Sequence, residues 1–257
     1  MTRAALVLTY HAVEAGPPPL CVPPDLFREH VAVLAESGAT TLTVSQLADA
    51  LRAGELPARA VALTFDDGCA SAVRTALPLL AAHGMTATVY CVAGHLGRAN
   101  DWPSQAVFAP RLELARADEL AAAAAAGFEV GAHGFEHAPL DGASRELARR
   151  ELSTAREALE GAVGAAVRSV AFPYGAAPSG EAAAIAREAY SSACLGGLRR
   201  ARAGADPYRI PRVDVHYVRA PGRLARALDG SLDRYLRLRA AGAALRRTVR
   251  KDYARAA

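Results

Sequence analysis

Two short segments place residues capable of metal chemistry directly after apolar, strand-like runs. In "VALTFDDGCAS", Asp66 and Asp67 follow a strand that reads as buried, and they precede a glycine that permits a sharp turn. Two adjacent carboxylates are costly to bury, so a buried pair needs a cation or a strongly shifted pKa. An exposed pair is an ordinary Asp-Asp-Gly turn, and the segment alone leaves both interpretations open.

The second segment, "FEVGAHGFEHAPL", carries His133 and His137 four residues apart. On a helical turn this spacing presents both imidazoles to one metal ion, although two exposed loop histidines fit the pattern as well. With a carboxylate from another strand end, the histidines predict a His, His, Asp set that leaves positions open for water and substrate.

Two further strand ends carry polar or aromatic groups. "LVLTYHAV" is an apolar run that ends in Tyr10 and His11, so it is a signal segment, a structural first strand, or a strand that delivers a histidine to a site. "RSVAFPYGAAPSG" ends in Pro173 and Tyr174. This is either a simple strand-to-helix turn or a source of a sugar-stacking ring and a backbone N–H for an oxyanion.

The elements that must position these residues alternate between short aliphatic or β-branched runs and alanine- and leucine-rich helices. We predict eight strands, at residues 3–10, 40–44, 59–65, 86–92, 128–133, 167–173, 190–195 and 208–215. Helices fill the gaps, and Ser45 and Ser144 are the predicted N-caps of two of them. The alternation predicts an α/β fold, a single (β/α) barrel, regular or distorted, with an open doubly wound sheet as the alternative.

The longest irregular stretch, residues 94–110, contains Trp102, the only tryptophan. Long loops inside such an alternation are often functional. We expect this loop to lie over the mouth of the barrel, where Trp102 either stacks on a sugar or serves as a hydrophobic anchor.

Composition is that of a folded protein with one core: 257 residues, 52% apolar and 22% charged. The four cysteines show no metal-clip spacing, which favours free buried thiols. With no recognisable leader, this favours a cytoplasmic location, with or without a peripheral position on the inner membrane face. We divide the chain into a barrel at 1–220 and a basic helical extension at 221–257.

That extension carries a cluster of basic residues, which predicts a solvated helix or, less expected, a surface for an anionic membrane. No nucleic-acid motif occurs in the sequence, so we expect no nucleic-acid partner. The cluster consists of Arg237, Arg239, Arg246, Arg247, Arg250, Lys251 and Arg255.

Three motifs, "LTFDDG", "HGFEH" and "FPYG", occur in an order and spacing that resemble the polysaccharide deacetylases with a NodB homology domain, carbohydrate esterase family 4. The resemblance covers about residues 3 to 218. It implies a distorted (β/α) barrel and hydrolysis of an acetamide, usually on N-acetylglucosamine units. By position it implies Asp66 as general base and Asp67, His133 and His137 as metal ligands.

The acid that protonates the leaving nitrogen has two candidates. In the commoner layout it is a histidine near the C-terminus, here His216, whose context fits the family pattern poorly. In the circularly permuted branch, which resembles the poly-N-acetylglucosamine deacetylases, a "YH" after the first strand supplies it. "LTYHAV" fits that branch, so we favour His11, with a structural histidine at the barrel rim as the remaining possibility.

One position departs from the family pattern. Many members carry an arginine that orients the base two residues before the motif proline, and here that residue is Ala171. Arg212, in "RIPRVDV" on the last strand, could reach the same carboxylate and lower its pKa.

The predicted function is metal-dependent hydrolysis of an N-acetyl group on an amino sugar or glycan, with Zn²⁺ expected and Co²⁺, Mn²⁺ or Ni²⁺ as alternatives. Two other functions remain open at this stage. One is hydrolysis of a non-sugar amide or O-acetyl ester at the same site, and the other is a non-catalytic carbohydrate-binding role.

Overall fold

The computed structural model describes residues 4–242. It contains nine strands: β1 (Ala4–Tyr10), β2 (Thr40–Leu42), β3 (Ala60–Phe65), β4 (Thr88–Cys91), β5 (Glu129–Ala132), β6 (Ser169–Ala171), β7 (Ser192–Gly196), β8 (Ala201–Arg202) and β9 (Ile210–Asp214). The eight predicted strands are all present, and each begins and ends within two residues of its expected bounds. The two-residue strand β8 was not predicted, because so short a pairing leaves no pattern in the sequence.

Seven parallel strands close into a barrel in the order β1, β3, β4, β5, β6, β7 and β9, and the ring closes because β1 pairs with both β3 and β9. Leu8 lies opposite Leu63 on one side and Val213 on the other. Strand β2 pairs in parallel with residues 60–62 of β3, ahead of the residues of β3 that pair with β4, and β8 pairs antiparallel with β1. The predicted (β/α) barrel is confirmed, and the open doubly wound sheet is wrong because both edges of β1 are paired in the ring.

The helices surround the barrel and pack against the outward-facing side chains of its strands. They are α1 (Pro24–Glu36), α2 (Val44–Ala53), α3 (Leu77–Ala82), α4 (Ala117–Ala125), α5 (Arg145–Arg149), α6 (Ala155–Val163), α7 (Gly180–Ala189) and α8 (Arg223–Asp229). Wider π-helical turns, Ala72–Ala76 and Arg150–Thr154, precede α3 and α6.

Side chains along the barrel strands alternate between an outer and an inner core, as the period of two requires. In β3, Leu63 and Phe65 pack outward in the cluster shared with the helices, whereas Ala60 and Ala62 pack inward. The interior is narrow and accommodates the large ring of Tyr90 because residue 131 is glycine. A Cβ at Gly131 would lie 2.5 Å from Tyr90 Cε1.

Helix α2 closes the end of the barrel at which the strands begin. Thr43 is its N-cap, since its hydroxyl accepts from Gln46 N at 3.2 Å and Gln46 Oε1 accepts from Thr43 N at 2.9 Å. The predicted N-cap, Ser45, is therefore wrong: it lies inside the helix, and its hydroxyl donates to Glu129 at 2.6 Å. Ser144 does cap α5, as predicted, by accepting from Leu147 N at 3.2 Å.

The described part of the predicted extension packs on the barrel. Leu224 and Ala227 of α8, followed by Leu232 and Leu236, are buried in the outer core. Residues 233–242 are helical. Arg237 and Arg239 are described, and the rest of the predicted basic cluster lies outside the described residues: Arg246, Arg247, Arg250, Lys251 and Arg255.

The four cysteines are buried free thiols. Within residues 4–242, no helix combines the length and the apolar character needed to cross a membrane.

Strand β1 is held to α1 by a buried polar pair, Tyr10 and His30, whose Oη and Nδ1 lie 2.9 Å apart. Burial, and secondarily the charge of Arg219, lowers the pKa of His30 from 6.5 to about 4. The unfolded chain thus takes up this proton near pH 6.5 and the folded protein only near pH 4, so acidification between these values favours unfolding.

We expect the free energy of unfolding of His30→Gln to fall less than that of the wild type between pH 6.5 and 4, by up to about 3 kcal/mol. Urea unfolding followed by circular dichroism at each pH measures the difference. The exposed His83 provides a matched control, because His83→Gln should keep the wild-type pH dependence. Equal pH dependence in wild type and His30→Gln would contradict this assignment.

Candidate active site

A cleft of about 670 Å³ opens at the end of the barrel where the strands finish, and the side chains at the strand ends line it. Asp66 and Asp67 follow β3, His133 follows β5, and His11 follows β1. Parallel strands in a closed ring deliver all their carboxyl ends to one face, so residues far apart in sequence meet there. The structure thus brings the two sequence motifs and the first-strand histidine into one cleft.

Asp67, His133 and His137 form a compact group of potential metal ligands. The two Nε2 atoms lie 3.2 Å apart, and each lies 3.6 Å from Asp67 Oδ1. The three side chains are buried, and their ligand atoms all lie within 4.8 Å of one another. Two imidazole nitrogens and a carboxylate oxygen at this separation can hold one divalent ion, such as zinc.

A hydrogen bond at His133 and burial at His137 favour metal binding by the two imidazoles. His133 Nδ1–H donates to the carbonyl of Ala171 at 2.8 Å, which leaves the Nε2 lone pair facing the group. Burial, with the charge of His133 as the next cause, lowers the pKa of His137 to about 2, so this imidazole is neutral. The Nε2 atoms of both rings lie near the same carboxylate oxygen, Asp67 Oδ1.

Asp67 lies on a tight turn with a left-handed backbone conformation. Its φ is 69°, and Gly68 follows with φ of 74°. A Cβ at Gly68 would lie 3.1 Å from Cys91 Sγ, so the glycine is needed both for its backbone angle and for space. Burial and the negative charge of Asp66 raise the pKa of Asp67, against the charges of His11 and His133. A cation at this point would reverse that effect.

Asp66 makes a bidentate ion pair with Arg212. Arg212 Nη1 and Nη2 donate to the two carboxylate oxygens at 2.5 and 2.8 Å, and both side chains are buried. Burial raises the pKa of Asp66, but the guanidinium of Arg212 and then the charge of His133 outweigh it and hold the pKa well below its ordinary value. Asp66 Oδ2 lies 3.9 Å from His133 Nε2, so the carboxylate borders the metal-ligand group.

Arg212 is itself fixed in the barrel interior. Its Nη1 donates to Thr64 Oγ1 at 3.2 Å, and its guanidinium carbon lies 5.5 Å from the centre of the Tyr90 ring. Arg212 thus reaches the carboxylate of Asp66 from β9. The position on β6 at which many family members carry an arginine is Ala171 in this chain.

The loop between the two histidines is not the helical turn that the four-residue spacing suggested. Gly134 has φ of 86° and His137 has φ of 56°, both left-handed, and residues 133–137 form no helix. The imidazoles converge because the loop doubles back, and their ring centres lie 4.8 Å apart. The two imidazoles converge as expected, but they do so on an irregular loop and not on a helical turn.

Trp102 and Ser104 of the long loop pack over His137. The ring of Trp102 stacks on the imidazole at 4.5 Å between centres, and Ser104 Oγ donates to the carbonyl of His137 at 2.9 Å. Trp102 is 2% exposed and only borders the cleft, so its position corresponds to the anchor rather than to an open sugar-stacking face. Sequence reasoning missed Ser104, for which the length of the loop was the only signal.

Tyr174 lies at the mouth beside the same histidine. It is 56% exposed with φ of 61°, its ring centre is 4.8 Å from that of His137, and its hydroxyl donates to the carbonyl of Ser104 at 2.9 Å. Pro173 is buried below it. The amide of Gly175 donates to the carbonyl of Phe172 at 3.0 Å, so that N–H is already occupied.

The two candidate acids occupy different surroundings. His11 lies in the cleft with Asp66 and Asp67, and it is half-buried. His216 is exposed, contacts the ring of Tyr217 at 5.6 Å between centres, and is absent from the lining of the cleft as far as residues 4–242 define it.

Comparison with solved structures finds the same fold. IcaB from Ammonifex degensii is 24% identical, with a TM-score of 0.72 over 88% of this chain and 96% of that one. The Streptococcus pyogenes deacetylase PplD, solved with acetate, is 22% identical, with a TM-score of 0.69 over 83% of this chain and 93% of that one.

Sequence comparison identifies the family. The putative polysaccharide deacetylase YxkH of Bacillus subtilis is 23% identical over 170 residues, which span 66% of this chain and 56% of the relative. The family model described as polysaccharide deacetylase matches residues 53–191, more than half of the chain and including both the aspartate and the histidine motifs. The chain therefore belongs to the polysaccharide deacetylase family.

Proposed function

We propose that this protein is a metal-dependent hydrolase that removes N-acetyl groups from amino-sugar units of a glycan. The observation that carries the proposal is the juxtaposition of two groups in one cleft: a carboxylate held ionised by Arg212, and a separate Asp, His, His group of metal ligands. Membership of the polysaccharide deacetylase family supports an acetylated sugar as the substrate.

Asp67, His133 and His137 are the residues that would hold the metal. A divalent ion there would polarise the acetyl carbonyl and lower the pKa of water, so that a weak carboxylate base suffices. Zn²⁺ suits this donor set, and Co²⁺, Mn²⁺ and Ni²⁺ are also compatible with it.

Asp66 acts as the general base. Because Arg212 keeps Asp66 ionised, the carboxylate is ready to accept a proton from the attacking water. The bidentate contact with Arg212 also fixes the orientation of the carboxylate. Arg212 thus contributes through Asp66 and holds the carboxylate beside the ligand group.

His11 donates the proton that the leaving nitrogen needs. An amine is a poor leaving group unless it is protonated, so hydrolysis of an acetamide requires an acid distinct from the base. His11 is half-buried in the cleft, whereas His216 is exposed. The exposed ring of Tyr174 contacts the sugar, and its backbone N–H lies on the turn suited to the developing oxyanion.

The cytoplasmic location and a peripheral membrane contact through the basic C-terminal cluster stay predictions from the sequence.

Metal removal is the first test. Protein treated with a chelator should lose deacetylation of N-acetylated oligosaccharides and regain it with one equivalent of Zn²⁺ or Co²⁺. His133→Ala should retain no stoichiometric metal by elemental analysis, because only two ligands remain. Full activity in metal-free protein would refute the proposal.

Substitution of the base separates catalysis from metal binding. Asp66→Asn should bind metal at the wild-type stoichiometry and lose about 10²–10⁴-fold in kcat, since the amide accepts no proton. Acetate release, with mass spectrometry of the sugar product, measures the rate. Asp49→Asn on the exposed face of α2 is the control and should match the wild type. Normal turnover by metal-loaded Asp66→Asn would contradict the assigned base.

The acid is tested by the leaving group. His11→Ala should lose at least about 10²-fold in kcat on an acetamide, but far less on 4-nitrophenyl acetate, whose leaving group needs no proton. His216→Ala should retain wild-type rates on both substrates. Equal losses of His11→Ala on both substrates, or a loss confined to His216→Ala, would assign the acid role elsewhere.

A further inference from the structure

The HGFEH loop (residues 133–137) has a shape that its own sequence does not stabilise. It carries both histidines of the ligand group, yet it lies outside any helix or strand, and His137 adopts a left-handed φ of 56°. Such a conformation is unfavourable for a non-glycine residue and persists only where the surroundings enforce it. Something outside the loop must therefore hold its backbone.

The side chain of Glu151 occupies the centre of this loop. Its carboxylate accepts four hydrogen bonds from three backbone amides. Phe135 N donates at 3.0 Å, Ala138 N donates at 3.1 Å, and Glu136 N donates to both carboxylate oxygens, at 3.0 and 3.2 Å. Glu151 is 1% exposed. A concave run of backbone N–H groups around a buried anion compensates its charge and gives the loop a single shape.

Gly134 shows how closely the loop surrounds the carboxylate. A Cβ at this position would lie 2.5 Å from Glu151 Oε2, and the glycine has φ of 86°. The anion therefore occupies the space in which a side chain at position 134 would lie. The amides it binds, at Phe135, Glu136 and Ala138, belong to the two residues before His137 and the one after it, so the carboxylate holds the backbone on both sides of that imidazole.

Glu151 reaches the loop from the π-helical turn Arg150–Thr154 between α5 and α6. The neighbouring Arg150 also contacts the loop, through an ion pair with Glu136 at 2.5 Å and a cation–π contact with Phe135 at 5.3 Å. Arg150 is exposed, and exposed pairs of this kind contribute little to stability. Of these two contacts from the π-helical turn, the buried Glu151 is thus the stronger.

We propose that Glu151 is a positioning residue that sets the separation of the His133 and His137 nitrogens and thereby the affinity of the site for a divalent metal. The proposal rests on the metal-binding part of the proposed function. Loss of the carboxylate removes the acceptor for several buried amides, releases the left-handed residue, and spreads the imidazoles. Outer partners of metal ligands typically affect affinity by 10–100-fold.

The test uses four full-length proteins in metal-free form: wild type, Glu151→Gln, Glu151→Asp and the control Glu157→Gln. Glu157 lies on α6, close to Glu151 in sequence, but is exposed. Each protein is titrated with Co²⁺, followed by its visible absorption and by competition with a chelator. The thermal unfolding temperature of each metal-free protein is measured in parallel.

We expect Glu151→Gln to bind Co²⁺ about 10–100-fold more weakly with an altered absorption spectrum, because the glutamine places a donor against backbone donors. Glu157→Gln should match the wild type. Glu151→Asp retains the charge and should recover part of the affinity and of the spectrum. If Glu151→Gln does not fold, a Co²⁺ affinity of Glu151→Asp below that of the wild type, with an altered spectrum, also supports the proposal.

Wild-type affinity and spectrum in folded Glu151→Gln would overturn the proposal. So would affinities that only follow the unfolding temperature with an unchanged spectrum, since those indicate a general structural role. Failure of the wild type itself to bind Co²⁺ is a distinct result, because it refutes the metal dependence of the proposed function.

Discussion

Closure of the barrel through β1 is the constraint on which the rest of the molecule depends. Strand β1 hydrogen-bonds to β3 on one side and to β9 on the other, so the first and last strands of the chain are neighbours. Asp66 N donates to the carbonyl of Tyr10 at 2.9 Å, directly beside His11. The same closure brings Arg212 from β9 to Asp66 from β3, across 146 positions of sequence.

Burial of like charges at one end of a small barrel determines how the site is built. Asp66 and Asp67 are adjacent and both buried, and the protein gives them opposite environments. Arg212 neutralises Asp66 and lowers its pKa, whereas burial and the neighbouring charge raise the pKa of Asp67. Two carboxylates with pKa values displaced in opposite directions are suited to two roles, one as a base and one as a ligand of a cation.

The peripheral elements that matter to the site are those that hold His137. Trp102 stacks on its ring, Ser104 donates to its carbonyl, and Glu151 binds the amides around it. None of these contacts follows from the local sequence of the HGFEH loop. A left-handed, non-glycine residue such as His137 needs this degree of support, because the backbone energy alone would favour another conformation.

The strand alternation, the barrel class and the residues that end the strands were predictable from the sequence, because periodicity and motif chemistry are local properties. The sequence also indicated His11 and Arg212, through a resemblance and through a charge on the last strand. It misplaced the cap of α2, since Thr43 and Ser45 are equally suited to capping and the hydrogen bond of Ser45 to the distant Glu129 decides between them.

Which polar residues meet was not predictable from local sequence. The pairing of Asp66 with Arg212, the non-helical backbone of the HGFEH loop and the burial of Trp102 and Glu151 all depend on contacts between distant segments. Local patterns report which face of an element is apolar, but the separation of two strand ends follows from ring closure and register, which no single segment encodes.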